Sequence, residues 1–409
     1  MERYLNSESA FRIDTGTAGI FIEGVPIERL VQRAGGTPCF IYGRSIISQR
    51  IRNLKLGLAN KIGVHYAIKA NPFPPLVFHV GTEVDGFDVA SANEMRLAVD
   101  VLGDPEKVSF AGPGKDENSL RQACAAGVLI HIESLREARI LAKISNETGW
   151  AARVALRINP LFGLKSSGMK MGGGAKQFGV DEEQAPNVLK ELDSMQLAFE
   201  GFHIFSGSQS LKSENIIESQ CESWKIVQKL SEFVRLPLKK VNLGGGFGIP
   251  YFTGETELNL DPILENLQNI ADDAARLIPG VRLNIELGRY LVGESGIYVV
   301  RVIDRKVSRG KTFLVVNGGL NHHLVASGNF GQIVRKNYPV SALKSTEELI
   351  EATVVGPLCT PLDVLAEKIY LPANIGPGDF IVVFQSGAYG KTASPSAFLG
   401  HPEALEILV

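Results

Sequence analysis

The strongest constraint in this sequence is a repeated alternation of short apolar, β-branched runs with helix-patterned stretches. The runs HYAIKA (65–70), GFDVAS (86–91), KVSFAG (107–112), LIHIES (129–134) and RVALRINP (153–160) come first. GFHIFSG (201–207), KVNLGGG (240–246) and LNIELGR (283–289) follow. Turn-forming residues bound each run, as they bound strands. Between them lie NEMRLAVDVLG (93–103), SLRQACAAG (119–127) and SLREARILAKISNETG (134–149), which carry helical patterning. Such alternation implies parallel βαβ units. Eight units over roughly 250 residues match an α/β protein of the (β/α)8, TIM-like barrel class in size and count. An open doubly wound sheet is the alternative, and the count disfavours it.

After residue 290 the texture changes. YVVRVIDRKVSRGKTFLVVNGG (298–319), the runs near 351–365 and PGDFIVVFQSGAY (377–389) are strand-like segments separated by Gly, Pro and Asp turns. They imply a C-terminal antiparallel β domain. AGIFIEGVPI (18–27) has the same strand–turn–strand pattern. The expected division is an N-terminal segment, 1–35, joining the β domain, a barrel over 36–285, and the β domain proper over 286–409. The Gly-rich stretch LFGLKSSGMKMGGGAKQFG (161–179) reads either as an active-site loop or as a plain surface connection.

Bulk properties remove several function classes. With 42 Lys and Arg against 44 Asp and Glu, the net charge of -2 offers no field for nucleic acid or an anionic membrane. No apolar run is long enough to span a bilayer, and the charged N-terminus lacks the core of a signal peptide. Cys39, Cys124, Cys221 and Cys359 are scattered without a CxxC pair, which argues against a zinc site or a disulfide framework. A cytoplasmic location is expected.

Barrel active sites form at the C-terminal ends of the strands, and polar residues collect there. Lys69 follows Tyr66-Ala67-Ile68 and so meets an apolar wall. Desolvation would lower its pKa and make it a nucleophilic amine suited to Schiff-base formation. The plain alternative is a strand-end lysine with its ammonium in water. Asp88 and Glu286 each either carry structural hydrogen bonds or keep a heterocyclic nitrogen protonated. His203 and Phe205 alternate within one run, so both are expected to face the barrel interior. An aromatic ring there either fills the barrel or lies on a planar cofactor. Gly244-Gly245-Gly246 follows a late strand, and backbone amides in such a turn approach a phosphate closely. It is not the dinucleotide fingerprint, because Ile249 stands where the third glycine would fall. Cys359 is either a buried hydrophobe or a reactive thiol. Tyr389 is either core or a phosphate donor.

Taken in order, HYAIKAN (65–71), GFDVASANE (86–94), LRINP (156–160), GFHIFSGSQ (201–209), NLGGGFG (242–248), ELGR (286–289), GPLCTPLD (356–363) and GAYG (387–390) form an ordered set. The set resembles the fold-type III decarboxylases, the pyridoxal-phosphate enzymes that include diaminopimelate and ornithine decarboxylases. The resemblance covers nearly the whole chain. It implies that Lys69 forms a Schiff base with pyridoxal 5'-phosphate and that Glu286 pairs with the ring nitrogen. Asp88 then orients neighbours near the ring, beside His203 and Phe205. Ser208, Gly244, Gly245, Gly246 and Tyr389 hold the phosphate. Arg289 lies near the phosphate and the substrate carboxylate, where a guanidinium fork suits either. The resemblance further implies a homodimer in which Cys359 and Asp363 reach the partner's site, Cys359 as the proton donor, with Thr360 and Asp363 meeting the substrate. The implied reaction is decarboxylation of an amino acid.

Three departures bear on substrate. Leu287 stands where the family usually has Pro, and Phe205 where the stacking aromatic is commonly His. Thr360-Pro361 stand where the family carries an acidic residue that pairs with the substrate's distal ammonium. A free diamine tail would lose on the order of 1–3 kcal/mol without that counter-charge. This CTP-LD pattern, with GGLNHHLVASGNFGQIVRKNYPV (318–340) and SPSAFLGHPEALEIL (394–408), resembles one subgroup in particular. It comprises carrier-protein-linked aminoacyl decarboxylases of the kind found in butirosin biosynthesis, and decarboxylases encoded with exosortase systems. Lys165, Lys170 and Lys176 then either meet an acidic acyl carrier protein or are solvated loop charge. One alternative is a decarboxylase of free diaminopimelate or a similar amino acid, with Glu94 or Asp363 taking the distal ammonium. Another is a non-catalytic decarboxylase-like binding protein, against which Lys69, Glu286 and the glycine turn stand.

Overall fold

Strands buried on both faces come out as unbroken apolar runs, and those runs build the barrel here. The computed structural model describes residues 11–14, 19–165, 168–329, 332, 335–344 and 348–409. Eight strands, Ile62–Ala67, Gly86–Val89, Val108–Phe110, Leu129–Ile132, Arg153–Asn159, Ala198–Ile204, Lys240–Asn242 and Arg282–Leu287, pair in parallel in chain order. The last pairs with the first, Glu286 opposite His65, and closes the cylinder. The alternating helices start and stop where local chemistry dictates. Ser91 and Ser134 accept the Glu94 and Glu137 amides at the starts of Ala92–Leu102 and Leu135–Thr148. Gly103 and Gly149 end the same helices in the left-handed conformation. Among the described residues, no helix is long and apolar enough to cross a membrane.

The C-terminal part forms an eight-stranded sheet around the long strand Gly296–Ser308. That strand pairs antiparallel with Lys311–Val316, Phe380–Val383 and Cys39–Tyr42. Two pairings are parallel: Lys311–Val316 with Leu349–Val355, and Leu405–Leu408 with Cys39–Tyr42. The sheet is therefore mixed, though mainly antiparallel. Cys39–Tyr42 lies inside the stretch expected to begin the barrel, yet it is a strand of this sheet. The hairpin Gly19–Ile22/Val25–Pro26 forms a separate small sheet with Phe11–Asp14. It does not extend the large sheet but packs on it, with Ile20 and Ile22 against Cys39, Ile41, Ile297 and Val382.

The two parts are fastened next to Lys69. The Tyr389 amide donates to the Ala70 carbonyl at 2.8 Å, and Asn71 Nδ2 donates to the Gly387 carbonyl at 2.9 Å. The barrel mouth is thus walled partly by the β domain.

Candidate active site

A cavity of about 450 Å³ opens at the C-terminal ends of the barrel strands. Lys69, Asp88, Phe205, Ser208, Glu286 and Tyr389 line it, all expected there from the sequence. Lys69 sits in the single helical turn Ile68–Ala70, just past the strand end. Its Nζ donates to Glu286 Oε1 at 3.1 Å and lies 5.5 Å from the Phe205 ring centre. Desolvation works against the ammonium, as expected, but the Glu286 carboxylate and Tyr389 together more than offset it. The Lys69 pKa is therefore raised, which corrects the sequence expectation of a depressed one. Glu286 is buried near the end of the last strand. Burial alone would raise its pKa; Lys69 and His203 outweigh that and hold it well below the ordinary carboxylate range.

Phe205 corrects a second expectation. The strand ends at Ile204, so His203 and Phe205 do not share one position. His203 is buried in the barrel, its Nε2 3.3 Å from Glu286 Oε2 and its ring 4.3 Å from that of His131. Phe205 lies beyond the strand, half-buried on the cavity wall. Asp88 is buried, accepts from Ser109 Oγ, and lies 3.5 Å from His65 Nδ1.

The glycine turn packs tightly. A Cβ on Gly244 would lie 2.5 Å from the Ile204 carbonyl oxygen, and one on Gly246 2.9 Å from that of Gly207. Gly245 backs directly onto the Glu286 main chain. Beside the turn, Ser208 Oγ and Arg289 Nε are buried without a hydrogen-bond partner. The Arg289 guanidinium stacks 4.7 Å from the Tyr389 ring centre and donates through Nη1 to Tyr251 Oη at 2.8 Å. Tyr389 adopts a φ of 55°.

Asp363 is a third correction. It is 2 % exposed, and its carboxylate accepts the amides of Leu320 at 2.7 Å and Leu358 at 2.9 Å. It orders the loop bearing Cys359 and Thr360 within its own chain, and its burial keeps it out of reach of a substrate ammonium. Thr360 is half-buried, with Oγ1 accepting the Leu362 amide. Cys359 is exposed. Neither lines the cavity of its own chain. Glu94 Oε2 accepts the Ala90 amide at 2.8 Å, and Glu94 does not line the cavity. Lys165 pairs with Glu218 at 2.7 Å, Lys176 is exposed, and the side chain of Lys170 lies outside the described residues.

Sequence reasoning missed a buried ionic cluster on the opposite wall. Arg157 and Lys115 line the cavity. Glu133 accepts from Arg157 at 2.7 Å and from the Gly179 amide at 2.9 Å, while Lys115 lies 3.2 Å from Glu137. Arg157 and Lys115 hold the Glu133 pKa down against its burial. The signal was present: Arg157 lies in LRINP and Glu133 ends LIHIES, both at strand ends. Gly179 closes the Gly-rich stretch, and Met169, Met171 and Phe178 from that stretch wall the cavity.

A closed barrel with a lysine–glutamate pair and a glycine turn at its mouth, joined to a mixed β domain, defines the pyridoxal-phosphate barrel enzymes. Residues 44–293 match the family described as pyridoxal-dependent decarboxylase, pyridoxal binding domain, and the chain belongs to that family. It is 36% identical over 380 residues to the L-glutamyl-[BtrI acyl-carrier protein] decarboxylase of Niallia circulans, covering 91% of this chain and 88% of that protein. It is 30% identical over 383 residues to the 2-[(L-alanin-3-ylcarbamoyl)methyl]-2-hydroxybutanedioate decarboxylase of Staphylococcus aureus, covering 92% and 95%. The crystal structure of diaminopimelate decarboxylase from Helicobacter pylori complexed with L-lysine superposes with a TM-score of 0.83 at 28% identity, covering 94% of each chain.

The cofactor is pyridoxal phosphate, and the residues present fit it. Two buried donors, Ser208 Oγ and Arg289 Nε, have no partner among the described residues beside a side-chain-free turn, as a phosphate requires. A buried anionic carboxylate, Glu286, stands at the end of the lysine side chain, where a protonated ring nitrogen needs its counter-charge.

Proposed function

We propose that the protein decarboxylates an amino acid whose side chain is conjugated through an amide or thioester, presented on an acyl carrier protein. The observation that carries this reading is the commitment of the acidic groups near the site. Thr360-Pro361 replace an acidic lip, Asp363 is buried with each oxygen accepting a backbone amide, and Glu94, its Oε2 on the Ala90 amide, lies outside the cavity lining. A free distal ammonium therefore meets no acidic lip and neither of these carboxylates on the cavity wall, and uncompensated burial of such a charge is costly. The two relatives named first support the reading, since their names denote a carrier-linked glutamyl group and a carbamoyl-substituted alanine.

Lys69 would hold the cofactor, Glu286 its ring nitrogen, and Ser208, Arg289, Tyr389 and the turn Gly244–Gly246 its phosphate. Pyridoxal phosphate supplies an electron sink for cleavage of the bond to the carboxylate. The chain supplies orientation and charge placement. Glu286 stays anionic through its contacts with Lys69 and His203. Phe205 and the apolar wall of Met169, Met171 and Phe178 exclude water from the reacting centre. Cys359 would act in the partner's site of a homodimer, where its Sγ proton replaces the lost carboxylate; its exposure in its own chain suits that role.

The test is carbon dioxide release from a panel of aminoacyl carrier proteins and the corresponding free amino acids. Turnover confined to free amino acids overturns the proposal in favour of a diaminopimelate-type activity.

A further inference from the structure

Met169, Ser208 and Tyr389 line a second cavity as well as the first. This chamber measures about 580 Å³ and runs from Arg289 to Lys212 past Leu211, Phe252, Val325 and Tyr338. Its walls are mainly apolar, and its polar groups are largely committed. Glu255, the one carboxylate among the described lining residues, accepts the amides of Tyr251 at 2.8 Å and Phe252 at 3.1 Å. Gln209 donates to the Ile249 carbonyl and accepts its amide. Arg289, at the inner end, is the group assigned above to the cofactor phosphate, so the chamber starts where the cofactor site ends. At the outer end, Lys212 is exposed, and Lys336 Nζ lies 5.3 Å from the Phe252 ring centre.

We propose, resting on the function proposed above, that this chamber receives the uncharged, amide-bearing arm that tethers the aminoacyl group to its carrier. Three features select that chemistry. The chamber adjoins the lysine-bearing cavity, so an occupant that begins at the reacting carbon continues into it. Its length is lined by Leu211, Phe252, Val325 and Tyr338, which accept a neutral chain and disfavour a charged one, the nearby Glu255 being tied through Oε2 to two backbone amides. Its outer end matches a pantetheine-type arm, with the ammonium groups of Lys212 and Lys336 for the arm's phosphate.

The experiment uses the cofactor-loaded enzyme and two probes, pantetheine and 4'-phosphopantetheine, titrated by calorimetry. Val325→Arg fills the chamber with a charged chain, and Val325→Leu is its conservative partner. Both probes are expected to bind the native enzyme, the phosphorylated one more tightly. Val325→Arg should weaken both about tenfold or more and raise KM for the carrier-bound substrate by a similar factor, leaving kcat and the cofactor absorbance in place. Val325→Leu should behave like the native protein. Should Val325→Arg lose the cofactor absorbance, Leu211→Glu at a separate wall position makes the same test. Native turnover of carrier-bound substrate with KM indifferent to these variants overturns the chamber while leaving the function standing. Probe binding that the variants abolish, with turnover of free amino acids only, retains the chamber and overturns the function. Displacement of the probes by a free dicarboxylic or diamino acid assigns the chamber to a charged tail and overturns the inference.

Discussion

Replacing Gly244 by alanine separates two costs that the structure places on one residue. Gly244 has a φ of 74°, and an added Cβ would lie 2.5 Å from the Ile204 carbonyl oxygen and 3.3 Å from Phe205 Cα. The left-handed backbone costs an alanine about 1–2 kcal/mol. Relieving the overlap needs a main-chain shift of roughly half an ångström or more, worth about 1–3 kcal/mol in a packed site. That shift is transmitted, because the Gly244 carbonyl accepts the Glu286 amide at 2.8 Å. If the whole overlap is felt at the cofactor, its dissociation constant rises between about 5-fold and 150-fold. Gly280→Ala supplies the conformational share alone, since Gly280 has a φ of 88° and nothing within 4 Å of its added Cβ. Gly376→Ala, with open space and no unusual φ, should do nothing measurable. The assay is fluorescence titration of the cofactor-free variants with pyridoxal phosphate, beside their denaturation midpoints. A Gly244→Ala protein that matches Gly280→Ala in stability and binds cofactor within threefold of the native protein refutes the reasoning.

Other outcomes follow from the same contacts. Lys69→Ala should abolish the visible absorbance that the bound cofactor gives with its lysine, read by simple spectrophotometry. Asp363→Ala strands two buried amides and should lower stability by about 2–5 kcal/mol in denaturant unfolding; Asp363→Asn, which keeps one acceptor, should recover part. A loss confined to KM would instead make Asp363 a substrate ligand. Mixing Lys69→Ala with Cys359→Ala chains should restore about a quarter of native turnover if each site draws on both subunits. In the cofactor-free protein, Lys69 has a raised pKa, so its share of stability is complete below about 10.4 and fades as pH climbs through the folded value. Glu286 has a depressed one, so its share is complete above about 4.3 and fades as pH falls through the folded value. The stability gap between native and Glu286→Gln proteins should therefore be flat from about pH 6 to pH 9.

The barrel was legible because strands buried on both faces must be apolar throughout, and the eight runs show it. The strand Cys39–Tyr42 was not, because nothing local tells a barrel strand from one that joins a distant sheet. The placing of Lys69, Asp88 and Glu286 on the cavity wall was legible, because it depends only on their position at a strand end. Legibility failed where the answer depends on a neighbour distant in sequence. The sign of the Lys69 shift is set by Tyr389 and by Glu286, 217 positions away. Asp363 is taken up by the Leu320 amide, 43 positions away. The Arg157–Glu133–Lys115 cluster was visible as strand-end charge, but only the closed barrel shows that the three share one wall.

Two hydrogen bonds, Tyr389 to Ala70 and Asn71 to Gly387, bind the lysine turn to the β-domain loop. A joint this close to the reactive amine makes the two halves poor candidates for independent exchange. A chimaera that keeps the barrel but imports another β domain would have to reproduce the Gly387–Tyr389 backbone to a fraction of an ångström. Divergence within such a chain is therefore easiest at the chamber walls and hardest at the seam.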